Sequence, residues 1–287
     1  GINDIVSDKP IFQVVMPLPE FWDQYRRESK TRKPLFRFAE DPAVVINNMI
    51  KYSRKSDSTR LIKQFSPIKF NLENYSKRFL PPDIVAELID HYKLPRVKEK
   101  IVSCDELMKD NLEFPLVLKA VGEKIIHKSD LKGVVLNIRS KEELILEADQ
   151  MKKNFSQKNI ELNSFMIQPF LTTKFELLVG AFRDSSFGPM VMFGSGGKYV
   201  EFLEDTAMRS AYLSESDIDE MINSTKIGKI IQGVRGETSV DLPEIKNVIR
   251  NLAQMMLNHP EIKEVDLNPL IVTDDNKIFA VDIRIKC

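Results

Sequence analysis

The sequence predicts an α/β protein whose helices and strands gather into α+β lobes, preceded by an incomplete parallel α/β segment. Three observations carry that expectation. Residues 1–57 read as β-α-β-α and stop there; residues 58–287 alternate β-branched runs with amphipathic helices; and the C-terminus closes on two apolar runs around a short polar turn. With 287 residues, 43% of them hydrophobic, the chain can build one large core or two medium ones.

Composition removes several function classes. Forty-two basic and forty-two acidic residues balance, so no net field favours nucleic acid or an anionic membrane. No apolar run approaches the ~20 residues of a membrane span, and the start GINDIVSDKP lacks the charge-then-apolar order of a signal peptide. A soluble, cytoplasmic protein is expected. Cys104 and Cys287 are isolated and offer neither a disulfide framework nor a zinc site.

In chain order, KPIFQVVM (9–16) reads as a strand, the segment with Trp22, Tyr25 and Arg26 as a helix, and Pro34–Phe38 as a second strand. A helix to about Arg54 follows, with Asp41 as N-cap and Pro42 at the first helical position. Two strands cannot bury both faces of a parallel sheet. The segment therefore docks on the rest of the chain or belongs to a larger sheet. After a polar linker (55–59), Ile84, Val85, Leu88 and Ile89 mark an amphipathic helix ended by Pro95, Arg96–Ser103 alternates like a strand, and Asp105–Asp110 reads as a short helix.

Pro115–Val121 is a buried-type strand bearing one lysine, Lys119, and Val134–Arg139 a second strand. The polar loop between them holds His127, Ser129, Asp130 and Gly133. Ser140 and Glu143 form a capping-box pattern ahead of a helix to Asn154. Strands at Ser164–Phe170, Phe175–Phe182 and Pro189–Phe193 lead into the glycine cluster GSGGKYVEFLEDTAMR. If that cluster is helical, Glu201, Asp205 and Arg209 share a face; a strand through Val200–Phe202 would separate Glu201 from its neighbours. Helices at Ser214–Ile231 and Asp241–Asn258 flank a Gly-Val-Arg-Gly turn.

The terminal hairpin can be reasoned from geometry. If its loop is Asp274–Asn276, pairs lie symmetrically about Asp275: Val272 opposite Ile278, Asn268 opposite Asp282, Asp266 opposite Arg284. Strict alternation puts those four polar residues on one face and Leu267, Pro269, Ile271, Phe279, Val281 and Ile283 on the other. A two-residue loop would break the pairing. A carboxylate beside an amide oxygen suits Mg²⁺, which shares its remaining positions with water and phosphate. The plainer alternative is a polar outer face with an Asp266–Arg284 ion pair.

Gly194–Gly197 fits neither a Walker A sequence nor GxGxxG, and a tight turn explains it equally well. No G-x-S-x-G elbow supports serine hydrolase chemistry. Of three histidines, His91 and His259 sit at segment ends where a cap or surface role is the default. His127, in a polar loop after Lys119, has surroundings that could present an imidazole nitrogen to phosphorus; the plainer alternative is an ordinary surface histidine.

Together FPLVLKAV, IIHKSDLKGVVL, FMIQPF, FELLVGAFRDSSFGPMVMFGSGGKYVEFLED, the Gly-Val-Arg-Gly turn, EVDLNPLIV and AVDIRI resemble the ATP-grasp part of the NDP-forming acyl-CoA synthetases. This group includes ADP-forming acetyl-CoA synthetase and, more distantly, the succinyl-CoA synthetase β subunit. The resemblance runs from about Leu80 to Arg284. Residues 1–57 resemble the tail of a flavodoxin-like CoA-ligase domain, which puts an ATP-grasp domain at 58–287 with lobes of about 58–165 and 166–287.

The resemblance implies that Lys119 contacts the nucleotide phosphates, Gln168, Pro169 and Phe170 form the adenine hinge, and Glu176 holds the ribose. Gly133 belongs to a phosphate-covering loop, Glu201 lies near the γ-phosphate, and Asn268 and Asp282 are Mg²⁺ ligands. His127 would relay a phosphoryl group between the nucleotide and a phosphohistidine of the CoA-ligase portion. The implied cofactors are ATP or ADP and Mg²⁺, with CoA only through that ligase domain or subunit; homo- and hetero-oligomers both stay open. The implied reaction is acyl-CoA + ADP + phosphate ⇌ carboxylic acid + CoA + ATP. A nucleotide- or acyl-CoA-sensing regulatory module, as found fused to acetyltransferases, is the alternative. Two departures stand out: Lys132 replaces the first of two glycines in the covering loop, and Gly122-Glu123-Lys124 replaces Ser-Pro-Asp.

Overall fold

The computed structural model describes residues 11–15, 18–28, 35–55, 65, 75, 78–103, 106–107, 112–122, 132–197, 202, 204–233 and 239–287. It divides into two compact units, Gly1–Thr59 and Arg60–Cys287.

In the first unit, β1 (Gln13–Val14) pairs in parallel with β2 (Leu35–Phe36), and helices α1 (Pro19–Glu28) and α2 (Glu40–Lys55) complete the expected β-α-β-α order. Both strands are shorter than the apolar runs that encode them. Among the described residues they form a two-stranded sheet, and Leu18, Val44 and Met49 are exposed. Asp41 lies inside the first turn of α2 and not at its N-cap. Its Oδ2 reaches back to accept from the Phe38 N–H at 3.4 Å.

The second unit contains two sheets. The first, in the order β3-β6-β4-β5, is antiparallel throughout and comprises β3 (Lys100–Ser103), β4 (Leu116–Val121), β5 (Val134–Ile138) and β6 (Ser164–Pro169). Helix α4 (Lys141–Ser156) covers one face, burying Leu144, Ala148, Met151 and Phe155 on a 3–4 residue spacing against Leu116, Leu118 and Phe165. Ser140 caps it by accepting from Glu143 N at 3.2 Å. The box is not reciprocal, because the Glu143 carboxylate accepts from Arg139 N instead.

The second sheet has β10 (Glu264–Val272) and β7 (Phe175–Asp184) at its centre, then β8 (Gly188–Ser195) and β9 (Thr206–Ser210). The strands β11 (Ile278–Ala280) and β12 (Ile283–Lys286) share the far edge of β10. Four helices supply its core: α3 (Pro82–His91), α5 (Glu215–Asn223), α6 (Lys226–Ile231) and α7 (Leu242–Asn258). Helix α3 packs here although it precedes the first sheet in sequence, and β6, which straddles residue 165, belongs wholly to the first sheet.

Local chemistry corrects three expectations. Helix α3 stops at Tyr92 because Lys93 turns into the left-handed region (φ 51°) and Leu94 N donates to Ile89 O, three residues before Pro95 could act. The helix expected over 214–231 is two helices, since the Thr225 hydroxyl accepts from Gly228 N and starts a second one. Of Arg96–Ser103 only the last four residues form a strand. Most of the short helix expected over 105–110 lies outside the described residues.

Candidate functional site

Each sheet of the second unit has one face on its helices and one bearing polar side chains. On β4, period two sends Leu116, Leu118 and Ala120 into the core and Lys119 to the opposite face, where it is only 7% exposed. A nearly buried ammonium is a strong partner for an anion because little water screens it. Its Nζ donates to the carbonyl of Val281, in the stretch between β11 and β12. Gln168, 3% exposed on neighbouring β6, donates from Nε2 to the same carbonyl (3.3 Å) and to Glu99 Oε2 (2.9 Å). Gln168, Pro169 and Phe170 line a cavity of about 480 Å³ with Glu99 and Pro115, within the size range of small-molecule sites. Glu99 carries no sequence signal; only the strand register brings it to Gln168.

Gly133 lies beside Lys119, its carbonyl accepting from Ala120 N at 2.8 Å. Lys132 takes a left-handed conformation, φ 52°, the region that favours glycine.

On the second sheet, Glu176 lies opposite Ile271 and is an exposed residue near the start of β7. The glycine cluster begins in β8, which ends at Ser195, and the chain bends at Gly197. Gly196 N donates to Glu176 O at 2.8 Å and Gly197 N to Asn268 Oδ1 at 3.0 Å. Gly197 has φ 79°, a backbone conformation that favours glycine, and a Cβ there would make the Glu176 carboxylate move aside. The face shared by Asp205 and Arg209 on a helix does not form, because Thr206–Ser210 pairs with β8 as strand β9.

The hairpin register is as expected: Val272 faces Ile278 and Asp266 faces Arg284. Between the two ladders, Asn268-Pro269 and Val281-Asp282 oppose each other in a break, and the pairing of β10 with β7 shifts there too. The break moves the alternation on by one residue. Val265 and Leu267 share the core with Leu270, Val272, Ile278 and Ala280, while Ile271, Phe279 and Val281, expected beside Leu267, lie outside that cluster. Arg284 pairs within 3.6 Å of Asp282, not Asp266. Asp266 is pushed up to about 6, chiefly by burial and then by the Asp282 charge, against the pull of Arg284.

Asn268 Oδ1 and the Asp282 carboxylate thus sit on facing sides of one break, near Asp266, whose carboxyl is raised above the usual carboxylate range. An all-oxygen donor set of this kind fits Mg²⁺ if water and phosphate complete the shell. No group of three or more His, Cys, Asp or Glu suited to a metal occurs among the described residues. His127 and Glu201 lie outside the described residues. His259 is not on the surface: it is the buried C-cap residue of α7, with Nδ1 3.1 Å from Glu261. No helix among the described residues is long and apolar enough to cross a membrane.

Residues 72–287 match the ATP-grasp domain family. The chain is 36% identical over 199 residues to the β subunit of acetate–CoA ligase (ADP-forming) I of Pyrococcus furiosus, covering 68% of this chain and 83% of that subunit. It is 31% identical over 270 residues to 4-hydroxybutyrate–CoA ligase (ADP-forming) of Nitrosopumilus maritimus, covering 88% of this chain but 38% of that longer protein. Among solved structures, acetyl-coenzyme A synthetase 1 of Ca. Korarchaeum cryptofilum, in complex with coenzyme A and Mg-AMPPCP and with its phosphohistidine segment pointing towards the nucleotide-binding site, superposes with a TM-score of 0.63. It is 35% identical, and the match covers 75% of this chain and 94% of that chain. The chain therefore belongs to the ATP-grasp family, in the group formed by the ADP-forming acyl-CoA synthetases.

Proposed function

We propose that this chain is the nucleotide-binding, phosphoryl-transferring part of an ADP-forming acyl-CoA synthetase, acting with a CoA-ligase domain or subunit. The observation that carries the reading is the convergence of buried Lys119 and Gln168 from one sheet on the Val281 carbonyl, next to Asp282 of the other. Lys119 draws the nucleotide phosphates, Gln168, Pro169 and Phe170 receive the base, and Glu176 binds the ribose hydroxyls. The loop at Gly133 covers the phosphates. Asn268 and Asp282 hold Mg²⁺, which when bound neutralises phosphate charge and aligns the transfer. These residues contribute by positioning and electrostatics.

The net reaction is acyl-CoA + ADP + phosphate ⇌ carboxylic acid + CoA + ATP. His127 carries the phosphoryl group between ADP and the ligase portion's phosphohistidine, and Glu201 lies near the γ-phosphate. Residues 1–57 are the tail of that ligase domain, which accounts for the two-stranded sheet with its exposed Leu18, Val44 and Met49.

Calorimetry of the chain with Mg-ATP tests the first half of the reading, and absence of heat at millimolar nucleotide would refute it. Adding a CoA-ligase portion should yield an acid-labile phosphohistidine that disappears in His127→Ala. Unchanged labelling in that variant would remove the relay and favour a nucleotide-sensing module.

A further inference from the structure

We propose that Asp205 and Ser195 form a positioning pair that sets the glycine turn, and through it the oxygen of Asn268, for the divalent cation. The inference rests on the nucleotide-binding reading above.

Asp205 is 6% exposed, and three hydrogen bonds reach its carboxylate. Oδ1 accepts from Lys226 N at 2.6 Å, and Oδ2 accepts from Ile227 N at 2.8 Å and Ser195 Oγ at 2.7 Å. The same residue's carbonyl accepts from Ser195 N at 3.0 Å. These donors hold its carboxyl below the usual carboxylate range despite burial. The carboxylate thus caps the first turn of α6 from a distance while gripping the last residue of β8. Capping alone would account for the two backbone contacts. It does not account for the Ser195 hydroxyl, which shares Oδ2 with Ile227 N and belongs to the last residue of β8, where the glycine turn begins.

From Ser195 the constraint passes along two residues. Gly196 N is tied to Glu176 O, and Gly197 N donates to Asn268 Oδ1. A backbone N–H can only donate, so it selects the amide rotamer of Asn268 that turns oxygen, not nitrogen, toward the turn. An amide oxygen has a second lone pair, which stays available for a cation. The turn carries no side chains of its own to fix it: a Cβ at 196 would meet the Leu177 backbone at 2.4 Å, and Gly197 has φ 79°, in the region that favours glycine. Beyond those two backbone hydrogen bonds, Asp205 with Ser195 anchors the turn from one residue upstream. Partners that orient a metal ligand from outside the coordination shell are typically worth about 10- to 100-fold in affinity.

The test uses the whole chain with Ser195→Ala, Ser195→Thr and Asp205→Asn, and reads nucleotide affinity in EDTA and across a Mg²⁺ titration. Ser195→Ala should raise the Mg²⁺ concentration at half-effect by about 10-fold. Its metal-free nucleotide affinity should stay within about twofold of the unaltered chain, and Ser195→Thr, which keeps a hydroxyl, should restore the Mg²⁺ midpoint. Asp205→Asn should move the midpoint in the same direction; should it fail to fold, Ser195→Ala remains informative because it leaves both helix contacts intact. An unshifted Mg²⁺ midpoint in a folded Ser195→Ala protein, or an equal loss with and without metal, would overturn the proposal. Absence of nucleotide binding by the unaltered chain would instead overturn the functional reading on which it stands.

Discussion

The two sheets of the second unit supply their polar residues in opposite ways. The first presents Lys119 and Gln168 from β4 and β6, whose mutual pairing is unbroken although that of β4 with β5 shifts between Leu116 and Leu118, and ordinary alternation sends them away from the α4 core. The second presents Asn268, Asp282 and the glycine turn where its strands break. A cation on a long flexible side chain tolerates a regular strand, because the chain carries the charge to its target. Short oxygen ligands cannot reach, so the backbone itself has to bend toward the site.

The contrast is broken most directly by one substitution on each side. Lys119→Met should lower nucleotide affinity about 100-fold, roughly 3 kcal/mol, both with Mg²⁺ and in EDTA, since it removes a nearly buried charge from the phosphates. Asp282→Asn should cost a comparable factor only in the presence of Mg²⁺. Calorimetry under the two conditions separates them; equal metal dependence in both variants would show that the sheets do not divide the work this way.

How much was legible in the sequence follows the same line. Lys119 could be placed because a single lysine in the run LVLKAV is unmistakable on a period-two strand, and the register of the hairpin followed from a three-residue loop around Asp275. The facing of Ile271, Phe279 and Val281 was not legible, because alternation assumes an unbroken strand and the break at Asn268 and Asp282 shifts it by one. Thr206–Ser210 was missed for a related reason. Charges at spacing four in Glu201, Asp205 and Arg209 imitate a helix, while pairing with β8, a contact distant from any local signal, decides for strand. Asp205 itself is spent on capping α6 and holding Ser195, a partnership across 21 and 10 residues that no local pattern announces.

A smaller effect distinguishes the break from the strands around it through pH. Asp266 ionises near 6 in the folded chain against an ordinary 3.8, so between those values the folded state holds more proton than the unfolded one. Stability contributed by this group is therefore greatest below about pH 4 and declines as pH rises through 6, by up to roughly 3 kcal/mol and less with partial exposure to water. Asp266→Asn should flatten that decline and stabilise the protein at pH 8 by roughly 1–2 kcal/mol. Denaturant unfolding at pH 5 and pH 8 reads both, and a decline of unchanged slope in the variant would assign it to other groups.

The smallest effect concerns a left-handed residue that leads into β5. Lys132 sits at φ 52° beside Gly133, where a β-carbon costs about 1 kcal/mol relative to glycine. Replacing it with glycine relieves that strain but adds backbone freedom to the unfolded chain worth roughly 0.5–1 kcal/mol. The two terms oppose each other and are similar in size, so Lys132→Gly should change folding stability by less than about 1 kcal/mol. If Lys132 also meets phosphate, as its place next to Gly133 allows, the variant should still weaken metal-free nucleotide binding severalfold, and in higher salt the gap should narrow because an exposed charge is screened. Unfolding and nucleotide binding at two ionic strengths distinguish a lysine kept for its charge from one merely tolerated by the turn.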